Sequence, residues 1–229
     1  MTGKGKGGKK KWKKSVASRL ENLQDIDLQS VVENLQSDRI ELQAPAVEQA
    51  IEIADVLAIE AVDALRRGPE RFPIAERILG FGSIALPHVE KLFRESKDSE
   101  VKLLSALTLL GLESKEGVPY LLDAALTPEG YGFIAPLYLA KAKVEEAIEP
   151  ILIRLRRFDF HNIDLQDSKT ITEIGLLLGS LEILEADIPP DLCEQLSHPN
   201  VPEIINKHFQ DIQRQMRGRS RKRARVRSK

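Results

Sequence analysis

The chain has 229 residues, of which 42% are hydrophobic, 30% charged and 5% aromatic, and its formal net charge is −1. With so few aromatic residues the core must be built from Leu, Ile, Val and Ala, which favours packed helices over a sheet. The single cysteine, Cys193, excludes a disulfide framework within the chain. No stretch approaches the roughly 20 apolar residues of a membrane helix, and no apolar run of a secretory signal follows Lys14. We therefore expect a cytoplasmic protein with no membrane contact, or a nuclear one in a eukaryotic cell.

The small net charge conceals two basic ends and an acidic middle. Residues 1–14 carry seven lysines and no acid, and residues 214–229 carry nine basic residues and no acid. All 35 acidic residues lie between these ends. Because the ends have too little apolar surface to fold, we expect 1–14 and 217–229 to be disordered basic arms. The folded body is expected over 15–216.

In chain order, the body shows helical patterns and no strand pattern. Apolar residues three to four apart predict two short capping helices, around 16–23 and 28–35. A helix pair is expected next, over 46–54 and 59–65. Near the C-terminus, a capping helix over 201–216 is expected to lead into the second basic arm.

Between these ends, one pattern repeats at steps of 31 or 32 residues. Each copy has a Leu and a small residue near the end of a first helix, such as Gly80, which we expect to let that helix approach its partner closely. A polar turn and then a proline follow, and a proline near the start of the second helix costs little. Asp98 is predicted to cap one helix, and Thr127-Pro128-Glu129 to begin another. The repeated prolines are Pro87, Pro119, Pro150 and, after an extra stretch at 158–167, Pro189.

The pattern of Leu-Gly, a small residue and Pro, followed by a polar break and Val101-Lys102, resembles HEAT repeats. The resemblance is clear over 70–157 and extends over 38–197. The short period is similar to that of compact, bacterial-type HEAT-like repeats, including those of proteins similar to phycobilin lyases. It implies an all-α fold, an α-solenoid of about five stacked antiparallel helix pairs whose second helices line an inner surface. Families with this fold mostly bind proteins, and a minority bind or act on nucleic acid.

Polar residues expected at exposed positions of the second helices are the candidates for binding a partner. Three arginines among them could hold a carboxylate or phosphate bidentately, and a solvated face is the alternative interpretation. The acidic body favours a basic protein partner. The candidates are Lys91, Arg94, Tyr120, Asp123, Arg154, Arg156 and Arg157.

The two arms favour binding of RNA or DNA. An indole within a lysine run combines stacking with phosphate neutralisation, and arginine-rich runs occur on RNA-binding proteins. The alternatives are solubility, docking of the arms on the acidic body, or a nuclear import signal. The candidates are Lys9, Lys10, Lys11, Trp12, Lys13, Lys14, Arg217, Arg219, Arg221, Lys222, Arg223, Arg225 and Arg227.

Motifs for catalysis or cofactors are weak. A G-x-x-x-x-G-K sequence at 3–9 lacks the following Ser or Thr, and a G-x-G-x-x-A sequence at 80–85 lacks a preceding strand. The five-residue spacing of Cys193 and His198 does not favour a catalytic pair. A polar loop is the better interpretation of the acids and histidine in the extra stretch, although they could gather a divalent ion: Asp159, His161, Asp164 and Asp167.

We therefore expect no catalytic residue, no cofactor and no metal site. The leading interpretation is a non-enzymatic HEAT-repeat scaffold or adaptor that binds a protein through its solenoid surface. One alternative is an RNA- or DNA-associated factor held by its basic arms. The second alternative is a lyase-like enzyme on a HEAT scaffold.

Overall fold

A computed structural model describes residues 26–164 and 166–227, with the backbone alone for 216–227. In this part of the chain the fold is all-α, as predicted, with eleven helices and no strand. None of these helices is long and apolar enough to span a membrane. The predicted basic arm over 1–14 and the first capping helix, around 16–23, lie outside the described residues.

The helices are joined by turns and by three short 3-10 segments, at Leu79–Ile84, Gly130–Ile134 and Glu145–Ala147. In chain order the helices are α1 (Leu28–Leu35), α2 (Ile40–Arg67), α3 (Arg71–Ile78), α4 (Leu86–Glu95), α5 (Ser99–Gly111), α6 (Val118–Leu126), α7 (Ala135–Lys141), α8 (Ile148–Leu155), α9 (Ser168–Ile183), α10 (Pro190–Leu196) and α11 (Glu203–Arg227).

The chain divides into two compact units, with the boundary between Lys91 and Leu92. In the first unit α1 and α3 each pack against α2. In the second unit α6 packs against α5, α7 and α8, while α9 packs against α7, α8 and α11. The single folded body expected over 15–216 stays a prediction.

Helix α2 replaces the helix pair that was predicted over 46–54 and 59–65. Residues 55–58 are Asp-Val-Leu-Ala, which contain neither glycine nor proline, so nothing interrupts the helix there. Pro45 sits near its start, where the carbonyl of Glu41 loses its usual amide partner. Six residues of the C-terminal half are buried, among them Asp63, whose carboxylate pairs with Arg66 and Arg67.

Helix α5 forms the core of the second unit. The side chain of Asp98 accepts hydrogen bonds from the amides of Glu100 and Val101, which confirms the predicted cap. From Leu103 to Leu110 every residue is buried. Two of these are polar, Ser105 and Thr108, and their hydroxyls donate to carbonyls one turn earlier, at 2.7 and 2.8 Å. The helix can therefore be covered on all sides without leaving these groups unpaired.

The repeated prolines stand at helix starts, as predicted. Pro87, Pro119 and Pro150 lie in the first turn of α4, α6 and α8, and Pro189 is the residue just before α10. Each lies in or just before a first turn, where its missing N–H leaves no hydrogen bond unmade.

The role predicted for the small residue after Leu is wrong at two positions. A Cβ placed on Gly80 or Gly179 would meet nothing within 4 Å, so neither glycine allows a close helix contact. The close approach lies elsewhere, because a Cβ on Gly117 would stand 2.8 Å from the Cα of Ala106. Glycine is required there to let the start of α6 cross α5.

The C-terminal arm was expected to be disordered from Arg217, and this is not confirmed. Helix α11 continues through Arg227. The run contains no proline and is rich in arginine, which has a high helix propensity, so the backbone can extend the preceding helix.

Candidate binding groove

A groove of about 550 Å³ opens on the second unit. It lies between the first turns of α5, the exposed side of α6 and the segment 127–131 that follows α6. Its lining includes three acids, two tyrosines and one leucine: Glu100, Asp123, Glu129, Tyr120, Tyr131 and Leu103.

The segment after α6 is not the helix start that Thr127-Pro128-Glu129 predicted. Thr127 ends α6, and its hydroxyl donates to the carbonyl of Asp123 at 3.1 Å. Gly130 has a φ of 53°, in the left-handed region that favours glycine, so the chain turns there before α7 begins. This turn places Tyr131, which is 37% exposed, at the edge of the groove.

Tyr120 forms a fixed aromatic wall. Its hydroxyl donates to the carbonyl of Ser99 at 3.4 Å, and its ring meets that of Phe93 edge to face at 5.9 Å between centroids. The ammonium of Lys102 lies 5.4 Å from the centre of the same ring. Partial burial and then the negative charge of Glu129 raise the pKa of Tyr120, so its hydroxyl stays protonated at neutral pH.

Carboxylates predominate in the groove. The described residues that line it include Glu100, Asp123 and Glu129 and no basic residue, and the ammonium of Lys102 lies beside the ring of Tyr120. A lysine or arginine of a partner can lay its apolar stem against a tyrosine ring and bring its charge to these carboxylates. The arrangement is therefore suited to a cationic side chain.

The structure brings two of the predicted partner-binding residues together here, Tyr120 and Asp123. Lys91 is exposed on α4, in the first unit. Arg94 pairs with Glu116 through two hydrogen bonds of 2.6 Å, and it does not line the groove.

Arg154 was predicted at an exposed position, and this is wrong, because the residue is only 2% exposed. Its Nε donates to Oε1 of Glu173 at 2.9 Å, and Nη2 lies 2.7 Å from the same oxygen. Nη1 donates to the carbonyl of Ala125 at 3.3 Å. The side chain therefore ties α8 to α9 and to the end of α6 inside the core.

The other two arginines of the predicted cluster have different partners. Arg156 pairs with Asp191 at 2.8 Å, which lowers the pKa of this carboxyl group and raises that of the guanidinium. Arg157 donates to the carbonyl of Leu126 at 2.8 Å. Because the three guanidinium groups bind separate partners within the chain, they do not form one shared anion site.

The acidic side chains of 158–167 accept hydrogen bonds from residues close to them in sequence. Asp159 accepts from the side-chain amide of Asn162, which lowers its pKa, and Asp167 caps α9. Asp164 accepts from the amide of Gln166. Within the described ranges, no group of three or more His, Cys, Asp or Glu side chains is placed to hold a metal ion.

The residues considered for a catalytic pair have other contacts. The thiol of Cys193 lies 3.4 Å from the carbonyl oxygen of Ile188 and 3.5 Å from the side-chain amide nitrogen of Gln213. The ring of His198 instead packs against that of His161, with 4.1 Å between centroids.

The structure describes the nucleic-acid candidates only in part. Lys9 to Lys14 lie outside the described residues, and the backbone of Arg217 to Arg227 lies on α11.

The sequence did not indicate four of these six groove residues, Glu100, Leu103, Glu129 and Tyr131. The turn sequence Gly130-Tyr131-Gly132 was the available signal, because two glycines around an aromatic residue are unfavourable within a helix. Comparisons with protein-family models, with curated proteins and with solved structures found no match to this chain.

Proposed function

We propose that this chain is a non-enzymatic, HEAT-like scaffold that binds a basic segment of a partner protein in the groove on its second unit. The observation that carries this proposal is the juxtaposition of two tyrosines and three carboxylates around one groove.

The geometry suits a lysine or arginine side chain that enters from solvent. Tyr120 is held by Ser99 and Phe93, so this wall loses little conformational freedom when a ligand binds. Asp123 and Glu129 are exposed and can pair with a cation without a large desolvation penalty. Tyr131 offers a second ring for cation–π contact.

The packing of the second unit supports the HEAT-like part of the proposal. Helices α5 and α6 pack against one another and are joined by a short turn, and α6 also contacts α8, the corresponding second helix of the next copy. Pro119 and Pro150 begin these two second helices. Such neighbour-to-neighbour contacts are what stacked helix pairs require.

The binding proposal is tested on the intact chain by fluorescence anisotropy of a labelled peptide of alternating arginine and glycine. Two exposed carboxylates contribute up to about 1 kcal/mol each. The double substitution Asp123→Asn and Glu129→Gln is therefore expected to weaken binding about tenfold. Tyr131→Ala is expected to weaken it about threefold, through the lost cation–π contact.

The matched control is Glu145→Gln with Glu146→Gln, which removes the same formal charge from exposed positions away from the groove. It is expected to change the affinity less than twofold. Equal losses of affinity in the two double variants would mean that the peptide responds only to the net charge of the chain. That result, or no binding by the intact chain, would overturn the proposal.

A second candidate function is RNA or DNA binding through the basic arms. The extension of α11 through Arg227 favours it, because arginine-rich helices suit RNA. If about five arm residues contact phosphates of a single strand, log affinity falls with log salt at a slope near −3.5. Labelled single strands titrated at 50 and 200 mM salt test this, and a slope near zero would contradict it.

A further inference from the structure

The first unit leaves an unusual amount of apolar surface in contact with solvent. Of the ten large hydrophobic side chains that are exposed among the described residues, eight lie between 28 and 57. Three on α1 are spaced four and three residues apart, and three on α2 are spaced seven and four apart, so each set lies on one helix face. We call these six the N-terminal apolar face: Leu28, Val32, Leu35, Ile40, Val47 and Ile51.

On α2, Ile40, Val47 and Ile51 form an apolar stripe that continues into the core. Ala58, Val62 and Leu65 prolong the same line of the helix, and all three are buried. One stripe is thus covered in its C-terminal half and uncovered in its N-terminal half. Helix α1 packs against α2 but leaves Ile40 66% and Ile51 54% exposed. A stripe of this kind normally faces another element.

An acidic edge runs beside the exposed half of the stripe. Glu41, Glu48 and Glu52 each follow a stripe residue by one position, about 100° further round the helix, and all three are exposed. From 28 to 65 the chain has eight acids and one basic residue, Arg39. A second copy of the chain would bring two such acidic surfaces together, so charge favours a basic occupant.

Residues 9–23, which precede the described part, have apolar and basic side chains that complement the apolar face and the acidic edge. Their apolar side chains stand four, four and three residues apart, at the spacing of one helix face. Basic residues surround them: the apolar set is Trp12, Val16, Leu20 and Leu23, and the basic set is Lys9, Lys10, Lys11, Lys13, Lys14 and Arg19.

We propose that residues 9–23 of this chain dock on the N-terminal apolar face, with their lysines toward the acidic edge of α2. Only residues 24–27 separate Leu23 from α1, a connection as short as those between antiparallel neighbouring helices. Attachment to the same chain gives the segment an effective concentration of the order of millimolar. The docked segment extends the covered stripe of α2 to its N-terminal half.

The intact chain carries its own reporter, because Trp12 is its one tryptophan. Docking predicts that the emission maximum of Trp12 lies at a shorter wavelength than in a free 9–23 peptide, and that acrylamide quenches the emission less. The double substitution Val47→Gln and Ile51→Gln removes two apolar contacts, and is expected to lower the docking equilibrium constant at least about tenfold. Its emission is therefore expected to shift to the red.

Leu57→Gln is the matched control, since Leu57 is 52% exposed on the same helix but lies about 100° away from the stripe. It is expected to leave the emission unchanged. Circular dichroism checks that each variant is folded, and Val32→Gln on α1 provides a second test of the face. Light scattering and a dilution series monitor the oligomeric state.

Three results would overturn the proposal. An emission of the intact chain equal to that of the free peptide would leave Trp12 in solvent and the face open to another protein. Equal red shifts in Leu57→Gln and in the stripe variants would show a general loss of structure. A blue-shifted emission that is lost on dilution would assign the face to a second copy.

Discussion

Helices α2 and α5 show two ways in which a long helix is accommodated in this molecule. In the second unit, α5 buries nine of its 13 residues, on every side. In the first unit, α2 buries seven of its 28 residues, and six of these lie in its C-terminal half. Helix α5 is thus covered by the elements around it, whereas the N-terminal half of α2 has an exposed apolar face that is available for a further contact.

The largest expected effect is at the ion pair of Arg154 and Glu173 in the second unit. Arg154→Ala leaves Glu173 in a mostly buried position without its cation, and is expected to cost about 3–5 kcal/mol of unfolding free energy. Urea unfolding followed by circular dichroism measures this cost. Arg156→Ala, which breaks an exposed pair with Asp191, is the control and should change the midpoint little. Similar losses in both variants would contradict the closed core proposed around Arg154.

Truncation of one leucine in each helix compares their surroundings directly. Leu104 on α5 is fully buried, so Leu104→Ala is expected to destabilise the chain by about 2–5 kcal/mol. Leu57 on α2 is half exposed, and Leu57→Ala should stay within about 0.5 kcal/mol. The same urea titration reports both values. A large effect at Leu57 would mean that this side of α2 is covered as well.

Two glycines provide a third contrast. Gly117→Ala forces a Cβ to within 2.8 Å of the backbone of α5 and is expected to cost about 1–3 kcal/mol. A Cβ on Gly80 meets nothing within 4 Å, so Gly80→Ala should be neutral or stabilise by up to about 1 kcal/mol. Thermal unfolding of the two variants under one set of conditions checks the sign of each change.

The smallest expected effect is a pH dependence at the start of α9. Hydrogen bonds from the side chain of Thr170 and then from backbone amides lower the pKa of Asp167 below its ordinary value of 3.8. The group therefore contributes stability above pH 3.8 that is lost as the pH falls through its lower, folded pKa. Melting temperatures of the wild type and Asp167→Asn should converge as the pH falls from 5 to below 3. A difference that stays constant over this range would contradict the assignment.

The part of the fold that could be predicted is the part that depends on local sequence. Helical periodicity predicts an all-α chain, and Pro119 and Asp98 mark helix starts because their effects act within one turn. Contacts between helices could not be predicted in this way. Gly117 and Gly80 are alike in sequence terms, yet only Gly117 meets another backbone. Which of them is constrained depends on which helices cross.

In the candidate site, too, local sequence predicts some residues, while contacts between distant parts of the chain determine others. The sequence predicts that Tyr120 and Asp123 are exposed on a second helix, and both line the groove. It makes the same prediction for Arg154, which is buried because it has Glu173 as a partner from a distant part of the chain. Tyr131 was missed because the turn at Gly130, rather than a helical pattern, places it at the groove.

The continuation of α11 through Arg227 also sets the linear density of positive charge at this end of the molecule. From 217 to 227 the sequence has seven basic residues, and a helical backbone compresses these 11 positions into about 16 Å, or about 2.4 Å per charge. An extended backbone would spread them over about 36 Å. The helical spacing approaches the roughly 1.7 Å per charge of double-stranded DNA. Helix formation here therefore raises the charge per unit length of the chain to about 70% of that of a nucleic-acid duplex.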